Sequence, residues 1–203
     1  MKQTVIAIVG GKKVGKTTTT ENLIQELTNR SYSVAALKHI SEPDFTIDTK
    51  GKDTYRFAQH GAKTVVAIGP NEVATIERGS TQNVPLSALL KKCKGSDVIL
   101  IEGFKRVVAK KTSIPKIVVV TSQEEASTAL ATYKPILAFS GPYNTEKISL
   151  ATPYADALKN PKKLADITEK TILFESLASR TMKKYLKSFL VSGSFFNCLT
   201  SCH

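Results

Sequence analysis

The chain reads as an α/β protein of the P-loop NTPase class: a mostly parallel sheet flanked by helices, with a β-hairpin insertion. Three observations predict this. Short apolar runs alternate with helical or loop stretches along most of the 203 residues, the order expected when helices pack on a parallel sheet. The run Val98-Ile99-Leu100-Ile101 is apolar without a break, as a strand buried on both faces is. Directly after the first apolar run stands Gly10-Gly11-Lys12-Lys13-Val14-Gly15-Lys16-Thr17, the G-x-x-x-x-G-K-T spacing of a phosphate-binding loop.

Residues 4–9 form the first strand, and the amphipathic stretch 17–29 the first helix. A strand emptying into a glycine-rich loop and then a helix aims backbone N–H groups and the positive end of the helix dipole at one point. That point suits a phosphate chain, so Gly10, Gly11, Lys12, Lys13, Val14, Gly15, Lys16, Thr17 and Thr18 are the predicted nucleotide-binding residues. Lys16 reaches the β- and γ-phosphates as a point charge, and Thr17 offers its hydroxyl to Mg²⁺. Residues 33–37 form the second strand, ending at Lys38-His39. A polar loop over 41–53 precedes a short helix at 54–60. Two β-rich runs, 64–68 and 73–77, are joined by Gly69-Pro70-Asn71-Glu72 as an antiparallel hairpin. Residues 85–92 read as a helix with proline in its first turn, and 97–101 as a buried strand. Residues 116–120 and 136–140 supply two more strands, with a helix over 123–133 between them.

Composition shifts beyond about residue 150. The expected organisation is a P-loop domain over 1–150, a helical C-terminal extension over 151–187 and a flexible tail over 188–203. Asp156 to Lys187 is the helix-like part of the extension: Leu158, Leu164, Ile167, Ile172, Leu173, Leu177, Met182, Leu186 and, just beyond it, Leu190 include three- and four-residue spacings. Cys198, Cys202 and His203 near the end are read as a frayed terminus rather than a metal site.

No apolar run approaches the roughly 20 residues needed to cross a bilayer, and the first is too short for a signal sequence. A cytoplasmic protein with no membrane partner is expected. Three cysteines with no C-x-x-C pair argue against a disulfide framework. The formal charge is +12, and 24 of the 29 basic residues are lysine. Such an excess attracts anions, yet no helix-turn-helix, zinc-finger or RNA-binding signature is present, so nucleic acid is not the expected partner.

A P-loop protein needs a second acid to hold Mg²⁺ or its water, normally at the end of an adjacent buried strand. Glu102 meets that demand at the C-terminal edge of the sheet, where ligands of open α/β sheets sit. Asp48 and Asp53 lie in the loop after the second strand. Asp48 is a candidate Mg²⁺ ligand or catalytic carboxylate; Asp53 is equally well explained as a helix cap. Lys16, Glu102 and Asp48 are the predicted catalytic set, with Thr17, Glu102 and Asp48 around the metal. Lysines also gather at predicted C-terminal strand ends, more than one triphosphate needs. Lys38, His39, Lys50, Lys52 and Lys105 therefore form a predicted site for a second anionic ligand, a phosphorylated metabolite or an acidic protein.

Several blocks in order resemble the molybdopterin-guanine dinucleotide biosynthesis protein B (MobB) family. They are the early P-loop, Leu37-Lys38-His39, Asp48 through Gly51-Lys52-Asp53-Thr54-Tyr55, Gly61-Ala62, Asp97 through Glu102-Gly103-Phe104-Lys105, and Pro115-Lys116-Ile117-Val118. They span about residues 3–120. The resemblance implies a GTP-binding homodimer that helps a separate guanylyltransferase attach GMP to molybdopterin, with weak GTPase activity. It implies that Gly15, Lys16, Thr17 and Thr18 hold phosphate and Mg²⁺, with Glu102 the acid on the Mg²⁺ side and the basic mouth meeting molybdopterin or the partner's ligand. Two departures stand out: Lys12-Lys13 where many relatives carry small polar residues, and no N-K-x-D motif to read guanine. The alternatives are a P-loop small-molecule kinase or ligase, in which Asp48 or Asp53 activates a hydroxyl, and a partition-type ATPase. The latter usually carries lysine where this chain has Gly11.

Overall fold

The computed structural model describes residues 3–146 and 151–191. In chain order the elements are β1 (Thr4–Gly10), α1 (Lys16–Asn29), β2 (Val34–Lys38), α2 (Asp53–Gln59), β3 (Thr64–Ile68), β4 (Val73–Glu77), α3 (Leu86–Lys92), β5 (Val98–Glu102), α4 (Lys105–Val108), β6 (Lys116–Val119), α5 (Gln123–Thr132), β7 (Ile136–Ser140) and α6 (Pro161–Val191). Residues 1–39 with 90–203 form one unit and residues 40–89 another.

The first unit is built on a five-stranded sheet of order β2-β5-β1-β6-β7, with every neighbouring pair parallel. Ile6, Ala7, Ile8 and Val9 of β1 and Val98 to Ile101 of β5 have no exposed surface, which is why these strands read as unbroken apolar runs. On α1, Thr19, Leu23 and Leu27 are buried one turn apart, with Thr20 beside them, and Leu23 and Leu27 join the core cluster. β1 leads leftward to β2 and β6 rightward to β7. The order therefore reverses beside β1, at the carboxyl ends where open α/β sheets bind ligands.

Three differences from the sequence expectations have local causes. A short helix, α4, follows β5 where none was predicted; at four residues it is too brief to show a period. α6 starts at Pro161 rather than near 156, because Asp156 Oδ1 accepts from the N–H of Leu158 in a turn. Asn160 then caps the helix, its Oδ1 accepting from the N–H of Lys163 at 3.1 Å, with proline at the first helical position. α6 also runs on to Val191. Its first half belongs to the core: Leu164 and Ala165 are buried, and Arg30 at the end of α1 pairs with Asp166 and Glu169 at 2.7 Å each. Tyr32 adds a hydrogen bond to Glu169. Cys198, Cys202 and His203 lie outside the described residues.

The unit over 40–89 holds α2 and the antiparallel β3–β4 hairpin, with Ile68 opposite Val73 and Thr64 opposite Glu77. Asp48 ties it together. Its carboxylate pairs with Arg78 at 3.0 Å and accepts from the Thr54 hydroxyl at 2.8 Å, and its side chain is only 4% exposed. Arg78 in turn lies over the Tyr55 ring, 5.6 Å from its centre.

Candidate functional site: the loop after β1

β1 ends at Gly10, which pairs with Val119 of β6. A Cβ on Gly10 would stand 2.4 Å from the Val119 carbonyl oxygen, so only glycine lets the loop leave the sheet here. Gly15 precedes α1 with φ +96°, a left-handed conformation that aims the following N–H groups back along the helix axis. No side chain caps α1, and no acid lies in its first turn. The first-turn N–H groups and the dipole thus face the loop with no side-chain cap.

Lys16 opens α1 and donates to the Gly11 carbonyl, folding its ammonium back over the loop. Burial and the nearby Lys105 ammonium hold its pKa below the ordinary 10.5; Glu102 opposes them, and Lys38 lowers it further. An arriving phosphate reverses the repulsion that these lysines impose on one another.

Glu102 ends β5, beside β1 in register with Ile8 and beside β2 in register with Lys38. Strand pairing alone therefore carries its carboxylate to the loop. It is 9% exposed, and its Oε1 accepts from the Thr17 hydroxyl at 3.1 Å. Lys38 Nζ lies 3.5 Å from the same Oε1 and donates to Thr17 Oγ1 at 3.2 Å. Ligands at right angles around Mg²⁺, with bonds of ~2.1 Å, lie roughly 3 Å apart, so the hydroxyl–carboxylate pair fits one edge of that octahedron. Two hard oxygens leave the remaining positions for water and phosphate, the usual manner of holding Mg²⁺. Among the described residues, no group of three or more His, Cys, Asp and Glu could hold a metal by itself.

His39 follows Lys38, and its N–H donates to the Glu102 carbonyl at 3.0 Å. Its ring meets Phe104 edge to face, 5.3 Å between centres, and Gly103 leaves only 3.2 Å for a Cβ before His39. The ends of β2 and β5 are thus locked together. Lys12, Lys13, Lys38 and Lys105 are exposed in this unit, and Lys50 and Lys52 are exposed in the other. Asp48, predicted at the metal, has its two oxygens engaged within its own unit, as described above.

A cleft of about 560 Å³ runs from Gly10 and Gly11 along the end of β6 to α5, with Lys105, Glu124 and Tyr133 on its walls. α5 contributes to this cleft although no site residue was expected on it. Glu125 accepts from the Thr121 N–H and hydroxyl at 2.7 and 2.9 Å, and its Oε1 stands 3.0 Å from where a Gly11 Cβ would be. The clue was Ser122 followed three residues later by Glu125, a capping signature; Ser122 Oγ accepts from the Glu125 N–H.

Residues 5–140 match the sequence profile of the family described as molybdopterin guanine dinucleotide synthesis protein B, MobB. The molybdopterin-guanine dinucleotide biosynthesis adapter protein of Haemophilus influenzae is 33% identical over 115 residues, 56% of this chain and 61% of that protein. A Methanocaldococcus jannaschii protein, whose name gives the same adapter role provisionally, is 37% identical over 121 residues, 59% of this chain and 48% of its own. The chain thus spans about half to three-fifths of these relatives' length. A crystal structure of molybdopterin-guanine biosynthesis protein B superposes with a TM-score of 0.63 at 24% identity, covering 83% of this chain and 98% of that one. The Bacillus subtilis MobB structure gives 0.63 at 23%, covering 82% and 96%. At such identities the two structures speak for the fold, which is the parallel sheet with flanking helices described above. With two thirds of its length matched in one continuous stretch, the chain belongs to the molybdopterin guanine dinucleotide synthesis protein B family.

Proposed function

We propose that the protein is a GTP-binding accessory protein of molybdenum-cofactor maturation, which binds GTP with Mg²⁺ and assists a guanylyltransferase in making molybdopterin-guanine dinucleotide. The observation that carries the nucleotide half is the Thr17 hydroxyl set 3.1 Å from the buried Glu102 carboxylate, at the uncapped start of α1. The names of the relatives, with family membership, support the pathway half.

In this reading the N–H groups of residues 15–18 cradle the phosphates, and Lys16 spans the β- and γ-oxygens. Thr17 and Glu102 hold the ion or its waters. Bound Mg²⁺ supplies charge neutralisation on the transferring phosphoryl group. Lys16 adds fixed positive charge where negative charge grows in the transition state. Hydrolysis is slow, because little else is supplied. Among arginines whose side chains are described, Arg30, Arg56 and Arg78 are paired with carboxylates, which leaves Arg106 as the free guanidinium nearest in sequence to Glu102. Of the lysines expected at a second anion, Lys105 is exposed and lines the cleft beside the loop; it suits molybdopterin phosphate or an acidic partner, and a homodimer is the expected assembly.

A small-molecule kinase would need Asp48 or Asp53 as base. Both Asp48 oxygens are engaged, and Asp53 pairs with Arg56 at 3.3 Å. The test is nucleotide turnover by the purified protein, alone and with candidate acceptors. Slow GDP release that acceptors do not change, lost with GTP binding in Lys16→Ala, is the expected result. Strong acceptor-dependent turnover by the isolated chain would overturn the accessory role.

A further inference from the structure

The ammonium of Lys38 occupies a position with unusual company. It lies within 3.5 Å of the two oxygens proposed to hold the magnesium ion, Glu102 Oε1 and Thr17 Oγ1. Its place there is set by the sheet, since Lys38 is the register partner of Glu102 across the β2–β5 pairing. The backbone beneath it is held by the His39 N–H on the Glu102 carbonyl and by the His39–Phe104 ring contact. The side chain itself is half exposed, whereas the carboxylate is nearly buried. So the strand end is fixed, and the four-carbon stem above it is free to swing.

A nearly buried carboxylate with no cation beside it is destabilising, and one partner relieves it. Two cations cannot share it closely, because an ammonium and a dication about 4 Å apart repel strongly at any dielectric the site could have. We propose that Lys38 is a built-in counter-ion that stands in for the divalent cation in the nucleotide-free protein. It swings to the terminal phosphate when nucleotide and metal arrive together. Metal affinity thereby becomes conditional on the triphosphate: the ion alone must evict Lys38 into water, while the ion with nucleotide evicts it onto an anion. The site then stays closed to free divalent cations, and a nucleotide lacking the terminal phosphate pulls Lys38 away less well. This inference rests on the nucleotide reading above for the role of the phosphate, though the competition between Lys38 and metal does not require nucleotide to be observed.

The test uses the full chain and Mn²⁺ as probe, with free Mn²⁺ read by its paramagnetic resonance signal. In the absence of nucleotide, Lys38→Met is expected to bind Mn²⁺ about tenfold or more tightly than the wild type, and Lys38→Gln to do the same. Adding Glu102→Gln to Lys38→Met should remove the gain. Lys38→Arg, which keeps the charge, should resemble the wild type. With GTP present, the wild type's gain in Mn²⁺ affinity should exceed that of Lys38→Met. Unchanged or weaker Mn²⁺ binding in both neutral variants, at wild-type thermal stability, would overturn the proposal. GTP binding measured with Mg²⁺ present separates the two claims: its failure sinks the nucleotide reading, and its success with unchanged Mn²⁺ affinities sinks the counter-ion alone.

Discussion

Among single residues, the least expected is Lys116. The sequence makes it the first residue of a central strand, where a charged side chain is costly, and it has no exposed surface. Its ammonium donates to the carbonyls of Lys111 and Lys134 at 2.7 and 2.6 Å, stapling the start of β6 to two loops. Burial holds its pKa below the ordinary 10.5. Between the lowered folded value and 10.5, the unfolded chain carries a proton that the folded one has released, so stability rises with pH through that window. Urea unfolding across the alkaline range should show this rise in the wild type relative to Lys116→Met. Parallel pH profiles would mean that the buried ammonium keeps its proton. Gly10, by contrast, was legible from spacing alone, and the reason is now steric: Gly10→Ala drives a methyl against the Val119 carbonyl.

At the level of elements, the sequence shows strongly what is periodic or unbroken, and weakly what depends on distant partners. The hairpin strands at 64–68 and 73–77 and the strand at 136–140 were placed to the residue, because each is bounded by turn residues. The helix α4 was missed, and so was the capping pair Ser122 and Glu125 that sets α5 against the phosphate loop. The position of Glu102 at the end of β5 was readable from the four apolar residues before it. The pairing of Asp48 with Arg78 was not, since the two are 30 residues apart and nothing local announces the pair. That pair makes a prediction for the 40–89 unit. Arg78→Met leaves a carboxylate 4% exposed without its cation. It should cost on the order of 3 kcal/mol, with Arg78's partial exposure placing the value at the low end for such pairs. Hydrogen exchange should then accelerate in β3 and β4 while β1 and β5 stay protected. Equal acceleration everywhere would show that the two units unfold as one.

Taken as a whole, the molecule carries more positive charge than one triphosphate needs, +12 over 203 residues, and its 40–89 unit carries an exposed apolar surface. Ile68 is 80% and Val73 67% exposed, facing each other across a two-stranded sheet. The homodimer proposed above would have there a surface to bury. Ile68→Lys should shift the sedimentation mass from dimer to monomer. A dimer of unchanged strength would place the interface elsewhere. No described helix is long and apolar enough to cross a membrane.

The central claim is that Thr17, Glu102 and Lys16 together form a magnesium-dependent triphosphate site. Calorimetric titration of GTP, with and without Mg²⁺, tests it most directly. Binding that tightens with Mg²⁺ in the wild type, persists without that gain in Glu102→Gln and vanishes in Lys16→Ala is the predicted result; no heat with GTP in the folded wild type, or a Mg²⁺ gain untouched by Glu102→Gln, would contradict it.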